Sequence, residues 1–258
     1  MERGNALKKI FGHTEVVIFL ATLFILIISY FFNRAIFSPH NVSIMLRQMS
    51  FITIVAFGQT LVLILGDIDL SIGAGAAMSA VLTAMLLTRT ELHPFAVFLV
   101  GLGLGACCGL FSGFLISKFK ITPFIITLGA SLIYTGILNV ITEGRTIQGM
   151  PESFTWIGQG MLFGRIPYPV IFMLTLGAIL FFVLRYTPFG RYLYAIGGNE
   201  TAARLVGINV ARIRMIVFML SGIFSALSGM LMTIFSTLPS LLPQFNSHPR
   251  SIVNQRLF

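Results

Sequence analysis

Long stretches without a charged residue recur along this chain, and they restrict its fold more than any other feature. Each is long enough to cross a hydrocarbon core of ~30 Å as an α-helix. Seven candidate spans are present: 16–32, 49–66, 70–88, 95–117, 121–142, 166–184 and 215–238. Lipid offers backbone groups no hydrogen-bond partner, so helices suit these segments best. The sequence therefore predicts an all-α fold, a polytopic membrane helix bundle with about seven transmembrane helices.

The charges support this prediction. Only 10% of residues are charged, against roughly 25% in soluble domains. With the N-terminus placed inside, ten of the 17 Lys and Arg residues lie in cytoplasmic connections and five on the opposite side. This bias predicts a cytoplasmic N-terminus. Because the basic residues of the connections explain the net charge of +9, no nucleic-acid partner is expected.

The domain organisation follows from the same pattern. Residues 1–15 are predicted to be a cytoplasmic N-terminus without a cleavable signal, 16–238 a transmembrane domain, and 239–258 a polar, atypical tail. Cys107 and Cys108 are adjacent in an apolar stretch, which fits neither a disulfide framework nor a metal site. No catalytic, cofactor-binding or metal-binding residue is predicted.

Small residues in two spans predict close helix packing. Glycines recur every four residues from Gly101 to Gly113, which places them on one helix face. The last span repeats the pattern with Ser221, Ser225 and Gly229. Neighbouring backbones are expected to approach along both faces.

An acidic turn joins the second and third spans. Gly66 is expected to end one helix, and Asp69 to cap the next through its carboxylate. Alternatively, Asp67, Asp69 and Ser71 contact a partner or line a path, because ionisable groups near the bilayer are costly without a task. Both interpretations stay open for Asp69.

The longest cytoplasmic connection, 185–214, contains a second candidate site. Asn199 suits an N-cap, Glu200 a first turn and Gly207 a helix end, so a helix of about two turns is predicted outside the membrane. This helix is either a plain surface element or a close-fitting docking element. The candidate docking residues are Gly190, Ala195, Gly197, Asn199, Glu200, Ala202, Ala203, Arg204 and Gly207.

Three segments carry a resemblance to a known family. They are 54–62 (IVAFGQTLV), 66–73 (GDIDLSIG) and 190–207, where Ala195, Gly197, Asn199, Ala202 and Ala203 stand at the family's spacing. These motifs resemble the ribose-type permeases of ATP-binding-cassette (ABC) sugar importers, which are related to the branched-chain amino acid permeases. The resemblance extends from about Phe37 to about Leu238.

The resemblance implies a function and its partners. A permease of this kind forms the translocation path in the bacterial inner membrane and binds no cofactor itself, because a cytoplasmic ABC ATPase uses the ATP. It pairs with a second permease copy or a paralogue, receives sugar from a periplasmic sugar-binding protein, and is surrounded by membrane lipid. Residues Asn199 to Gly207 would form the coupling helix that docks into the ATPase.

The sequence departs from the family in two places. Asp67 stands where the family commonly has glycine. Family members also resemble a ten-span bundle and continue beyond the seventh span with segments that do not follow Leu238. Our hypothesis is a truncated permease whose residues 239–258 are frameshifted or foreign.

Two alternatives to an importing permease are a truncated fragment that does not transport and, as the weaker choice, an ion-coupled secondary transporter. A secondary transporter normally has an ionisable or unwound site near mid-membrane, which the seven uncharged spans lack. Gln59, Thr60 and Asn139 are polar positions within spans and are candidate path-lining residues.

Overall fold

The computed structural model describes residues 14–145, 147 and 160–236. Most of the predicted N-terminal segment 1–15 and all of the predicted tail 239–258 lie outside these residues. In chain order the helices are α1 Thr14–Phe32, a 3-10 helix Arg34–Phe37, α2 Pro39–Ile64, α3 Ile72–Arg89, α4 Pro94–Phe119, α5 Pro123–Thr142, α6 Tyr168–Tyr186, α7 Pro188–Gly198, α8 Glu200–Leu205 and α9 Val210–Ser236. A two-stranded antiparallel hairpin, β1 Met161–Leu162 with β2 Ile166–Pro167, precedes α6.

The predicted all-α membrane bundle is confirmed. Among the described residues, α2, α3, α4, α5, α6 and α9 are long and apolar enough to cross a membrane, and α1 contributes the shorter apolar stretch Val16–Phe32. The chain divides into two compact units, residues 1–48 and 49–258. In the first unit, the amide of Asn41 donates to the Ala35 carbonyl (2.7 Å) and the Asn33 side chain accepts from the Ala35 N–H (3.0 Å). These bonds fix the chain between α1 and α2.

In the second unit, α9 is the central helix. Its most apolar window is 56% buried, a larger share than in any other candidate span of the described residues. The predicted glycine face of α4 packs on it: a Cβ at Gly105 or Gly109 would lie well within 3.0 Å of backbone atoms of Gly222 or Phe218. On α9, Ser221 and Ser225 are buried, and Gly229 lies against the backbone of Ala76 on α3. The small-residue prediction is therefore confirmed for both helices.

Several predicted boundaries differ from the structure, and three of the differences have a local cause. Helix α2 begins at Pro39, ten residues before the predicted span. The predicted span leaves out the charged residue Arg47, whereas the helix includes this residue and buries it. Helix α6 begins at Tyr168, since Ile166 and Pro167 pair with β1. The predicted loop 185–214 is largely helical: it begins in the last turn of α6, contains α7 and α8, and ends in the first turns of α9.

Candidate coupling site

The connection between α2 and α3 is a tight turn that buries two carboxylates. Gly66 has φ of +87°, a left-handed conformation that glycine adopts without a steric penalty, and it follows the end of α2. The N–H of Asp67 then donates to the Val62 carbonyl (3.1 Å). Asp67 and Asp69 are only 8% and 4% exposed. Because buried carboxylates need hydrogen-bond or ionic partners, their contacts define the site.

Asp69 joins the start of α3 to α9. Its Oδ1 accepts hydrogen bonds from the N–H (2.9 Å) and the hydroxyl (2.6 Å) of Ser71, the residue before α3. Its Oδ2 accepts from the Ser221 hydroxyl on α9 (3.1 Å). One turn further along α9, the Ser225 hydroxyl donates to the Ile72 carbonyl. The carboxylate therefore fixes the turn that leads into α3 to the central helix. The expected N-cap role of Asp69 is wrong, because Ser71 is the N-cap residue and Asp69 accepts from its N–H rather than from an N–H of the helix.

Asp67 forms a buried ion pair with Arg214, near the start of α9. The Arg214 Nε lies 2.7 Å from Asp67 Oδ2, and the two side chains are 12% and 9% exposed. Burial raises the pKa of the Asp67 carboxyl above its ordinary value, and the charge of Arg214 offsets part of that rise. Removing Arg214 would leave the Asp67 charge buried without compensation.

The connection between α6 and α9 consists of two capped helices. The Thr187 hydroxyl accepts from the Gly190 N–H (3.5 Å) at the start of α7. The Asn199 side chain accepts from the Ala202 N–H (2.9 Å) at the start of α8, and Gly207 follows the end of α8 with φ of +86°. The predicted short helix with an Asn199 cap is confirmed, whereas α7 was not predicted.

Glycines bring α7 against the ends of α2 and α6. A Cβ at Gly197 would lie well within 3.0 Å of the Ile64 carbonyl oxygen, and one at Gly190 equally close to the Leu184 backbone. Leu193, Ile196 and Ala203 are buried in the same apolar cluster. The two glycines therefore allow a backbone approach that a larger residue would block, and α7 and α8 are packed elements rather than a loose loop.

Glu200 links α8 to this packed base. Its Oε1 accepts from Arg204 Nε (3.2 Å) and Nη2 (2.5 Å) within α8, and its Oε2 lies 3.0 Å from Arg214 Nη2. Arg214 thereby contacts a carboxylate of the acidic turn and a carboxylate of α8 at once. Hydrogen bonding from Arg204, aided by Arg214, lowers the pKa of the Glu200 carboxyl. The turn, α8 and α9 form one ionic network.

We expect the contribution of Glu200 to depend on pH. Because its pKa is lowered in the folded protein, its stabilisation is present above the ordinary value of 4.5 and is lost as the pH falls through the lowered value. At neutral pH, Glu200→Gln should lower the unfolding free energy by less than about 1 kcal/mol, since the pair is partly exposed. Thermal unfolding in detergent across pH should show this difference closing in acid. Glu143→Gln, in a pair that is 82% and 70% exposed, is the control, and a Glu200 effect that does not change with pH would contradict the assignment.

Two large apolar side chains are exposed at the end of α8. Leu205 and Val206 are 84% and 76% exposed. Ala202 and Arg204 also face outward, whereas Ala203 is buried. Two large apolar side chains at the end of a capped, anchored helix form a compact protruding surface.

The three candidate path-lining residues have different surroundings. Thr60 and Asn139 are exposed, and the Thr60 hydroxyl donates to the Ala56 carbonyl in its own helix (2.7 Å). Gln59 is half-buried, and its Oε1 has no hydrogen-bond partner among the described residues. Thr135, one turn before Asn139 on α5, is also exposed. These positions present polar groups on open helix faces.

Arg214 and Ser221 were not among the predicted site residues. The sequence counts Arg214 only among the cytoplasmic basic residues that predict topology. Its spacing to Ser221 and Ser225 is seven and then four residues, which places all three on one face of a helix. That periodicity was the available signal. No group of three or more potential metal-ligating His, Cys, Asp or Glu side chains occurs in the described part of the chain.

Sequence comparison with known proteins places this chain among transport permeases. A family model described as branched-chain amino acid transport system / permease component matches residues 41–246. The ribose import permease protein of Bacillus subtilis (strain 168) is 39% identical over 217 residues, which cover 83% of this chain and 67% of that protein. The fructose import permease protein of Rhizobium meliloti is 35% identical over 200 residues, covering 75% and 56%.

A third relative, named for a different cargo, aligns with a similar share of this chain. The autoinducer 2 import system permease protein of Escherichia coli O9:H4 (strain HS) is 33% identical over 225 residues, covering 86% of this chain and 65% of that protein. No solved structure matches the chain significantly. The chain spans about two thirds or less of the length of these three relatives.

Proposed function

We propose that this chain, which belongs to the family described as branched-chain amino acid transport system / permease component, is the transmembrane permease subunit of an ABC sugar importer. In this proposal the bundle forms part of the translocation path and α8 couples it to a cytoplasmic ATPase. The observation that carries the proposal is the ionic network of Arg214, which joins α8 to both the acidic turn and the central helix.

A coupling element must transmit displacement without deforming. Helix α8 is only six residues long, so its own hydrogen bonds give it little rigidity. The bonds of Glu200 to Arg214, and the burial of Ala203 beside Leu193 and Ile196, tie it to the membrane helices. A displacement of α8 would therefore move α9 and the start of α3 with it. Alternating access requires a rigid-body movement of this kind.

The exposed end of α8 supplies the docking surface in this proposal. Leu205 and Val206 are suited to an apolar cleft on the ATPase, since well-packed apolar anchors carry much of the energy of an interface. A cytoplasmic N-terminus is part of this proposal. A second permease copy or paralogue and a periplasmic sugar-binding protein would complete the importer.

Changing the exposed apolar side chain of Leu205 should uncouple transport from ATP hydrolysis without unfolding the bundle. We expect Leu205→Asp to reduce ATP-driven uptake by at least about tenfold, because a carboxylate would replace an apolar anchor. The measurement is uptake of labelled monosaccharide into proteoliposomes that contain the permease, its cognate ATPase and the binding protein. Leu92→Asp is the matched control, since Leu92 is 52% exposed in the connection at the other end of α3. Equal losses in both variants would argue against α8 as the docking element.

Relatives of this chain are named for ribose, fructose and autoinducer 2 import. We infer a monosaccharide-sized substrate for this chain. Asn139 and Thr135 on α5, with Thr60 on α2, would offer hydrogen bonds along the path, because exposed amides and hydroxyls are costly against lipid alone.

The same proteoliposomes distinguish the alternatives. Uptake that needs ATP and survives collapse of the ion gradient supports the importer. Uptake without ATP that stops when the gradient collapses supports an ion-coupled transporter. Binding of the ATPase without uptake supports a fragment that docks but does not transport.

A further inference from the structure

A basic, aromatic cleft lies at the junction of α6 and α7, apart from the coupling network. Its volume is about 520 Å³, and it is lined by Phe181, Leu184, Arg185, Arg191 and Tyr194. Arg185 lies in the last turn of α6 and Arg191 in the first turn of α7. The cleft therefore lies where the candidate membrane-spanning helix α6 ends and α7 begins.

The two arginines of the cleft bring uncompensated positive charge to this boundary. Neither forms an ion pair with a carboxylate of the described residues, where Arg145, Arg204 and Arg214 are the paired cations. Both are exposed, and the exposed Tyr194 also lines the cleft. Basic pockets at membrane boundaries suit anionic head groups, and a guanidinium fork suits phosphate oxygens in particular.

An open apolar surface leads along α6 to this charge. Only 11% of the most apolar window of α6 is buried, the smallest share among the candidate spans of the described residues. Leu174, Ile179, Phe181 and Phe182 are 54% to 65% exposed. Tyr186 stands beside Phe182 with ring centroids 5.4 Å apart, which adds to an aromatic girdle at the helix end.

We propose that this cleft binds the head group of an anionic phospholipid, with Arg185 and Arg191 on its phosphate and its acyl chains along the exposed face of α6. The combination of charge with a continuous apolar surface favours a lipid over a free anion, because a free phosphate would gain nothing from the apolar surface. The proposal needs only that α6 spans the membrane, so it does not depend on the ATPase or on the cargo.

Quenching by brominated lipid tests this proposal in the full chain. The only tryptophan is Trp156, so a chain with Trp156→Phe and Phe181→Trp carries one reporter in the cleft. Fluorescence is measured in vesicles that mix phosphatidylglycerol and phosphatidylcholine, with bromine on the chains of one lipid or the other. We expect brominated phosphatidylglycerol to be preferred by about tenfold at low salt, from two arginines near the surface.

Further substitutions in the chain that carries the tryptophan reporter test whether the cleft causes the preference for phosphatidylglycerol. Arg185→Gln with Arg191→Gln should abolish it, whereas the Lys pair at the same positions should keep most of it. Arg212→Gln, which removes an exposed arginine of α9, should leave it unchanged. A loss as large in Arg212→Gln would overturn the proposal, because it would reflect surface charge in general.

Four further results would overturn the proposal. Equal quenching by both lipids, or a preference that survives in the Gln pair, would show that the arginines do not select a lipid. Loss of the preference on adding millimolar inorganic phosphate would assign the site to a free anion. Absence of quenching by either lipid would show that protein covers this face of α6.

Discussion

Gly109→Ala should destabilise the bundle strongly, although it adds a single methyl group. A Cβ at Gly109 would lie well within 3.0 Å of the carbonyl group of Phe218 on the central helix, so the two backbones must separate. Overpacking of this kind costs about 1–3 kcal/mol, and we expect the upper end because the obstructing atoms are backbone. Unfolding by denaturing detergent in mixed micelles measures the effect.

The same helix provides the control for this prediction. Gly103 is exposed, and a Cβ there would have no neighbour within 4 Å. Gly103→Ala should therefore be neutral or stabilising by roughly 0.5–1 kcal/mol, the ordinary gain from replacing glycine within a helix. Similar unfolding midpoints for the two variants would show that α4 and α9 are not packed at Gly109.

Removing Arg214 should have the largest effect of any single change in the candidate site. Arg214→Leu leaves the buried carboxylate of Asp67 without its partner, and breaking a buried pair in this way costs about 3–5 kcal/mol. Glu200 should be less affected, because it is 39% exposed and keeps Arg204. The same mixed-micelle unfolding measures the loss.

A double-mutant cycle separates this ion pair from packing. Arg214→Leu combined with Asp67→Asn should cost clearly less than the sum of the single changes, since no buried charge is left unpaired. Arg212→Leu, two residues away and exposed, should change stability by no more than about 0.5 kcal/mol. If Arg214→Leu were as mild as Arg212→Leu, the ionic network would not hold α8 in place.

The predictions that succeeded rest on local patterns. Recurring glycines at four-residue spacing specify one face of α4, and that face is where α9 approaches. Asn199 and Gly207 bound α8 because an N-cap side chain and a left-handed residue each act within one helical turn. Such signals do not depend on the rest of the fold.

The predictions that failed depend on contacts distant in sequence. Arg214 was interpreted as a topology signal, because nothing near it reveals that Asp67 lies against it. The sequence predicts no helix over 188–198. Gly190 and Gly197 are poor helix formers, and only the fold shows that the close backbones of Leu184 and Ile64 leave room for nothing larger. The start of α2 was placed after Arg47, although the folded chain buries that residue.

The proposed docking of α8 on an ATPase is tested most directly by cross-linking. A photoreactive side chain at position 205, the most exposed large apolar residue of α8, would be activated in membranes that contain the cognate ATPase. A second chain would carry it at Leu132, which is 69% exposed on α5. We predict an ATPase adduct from position 205 and none from position 132. An adduct from neither position, or equal adducts from both, would contradict the account.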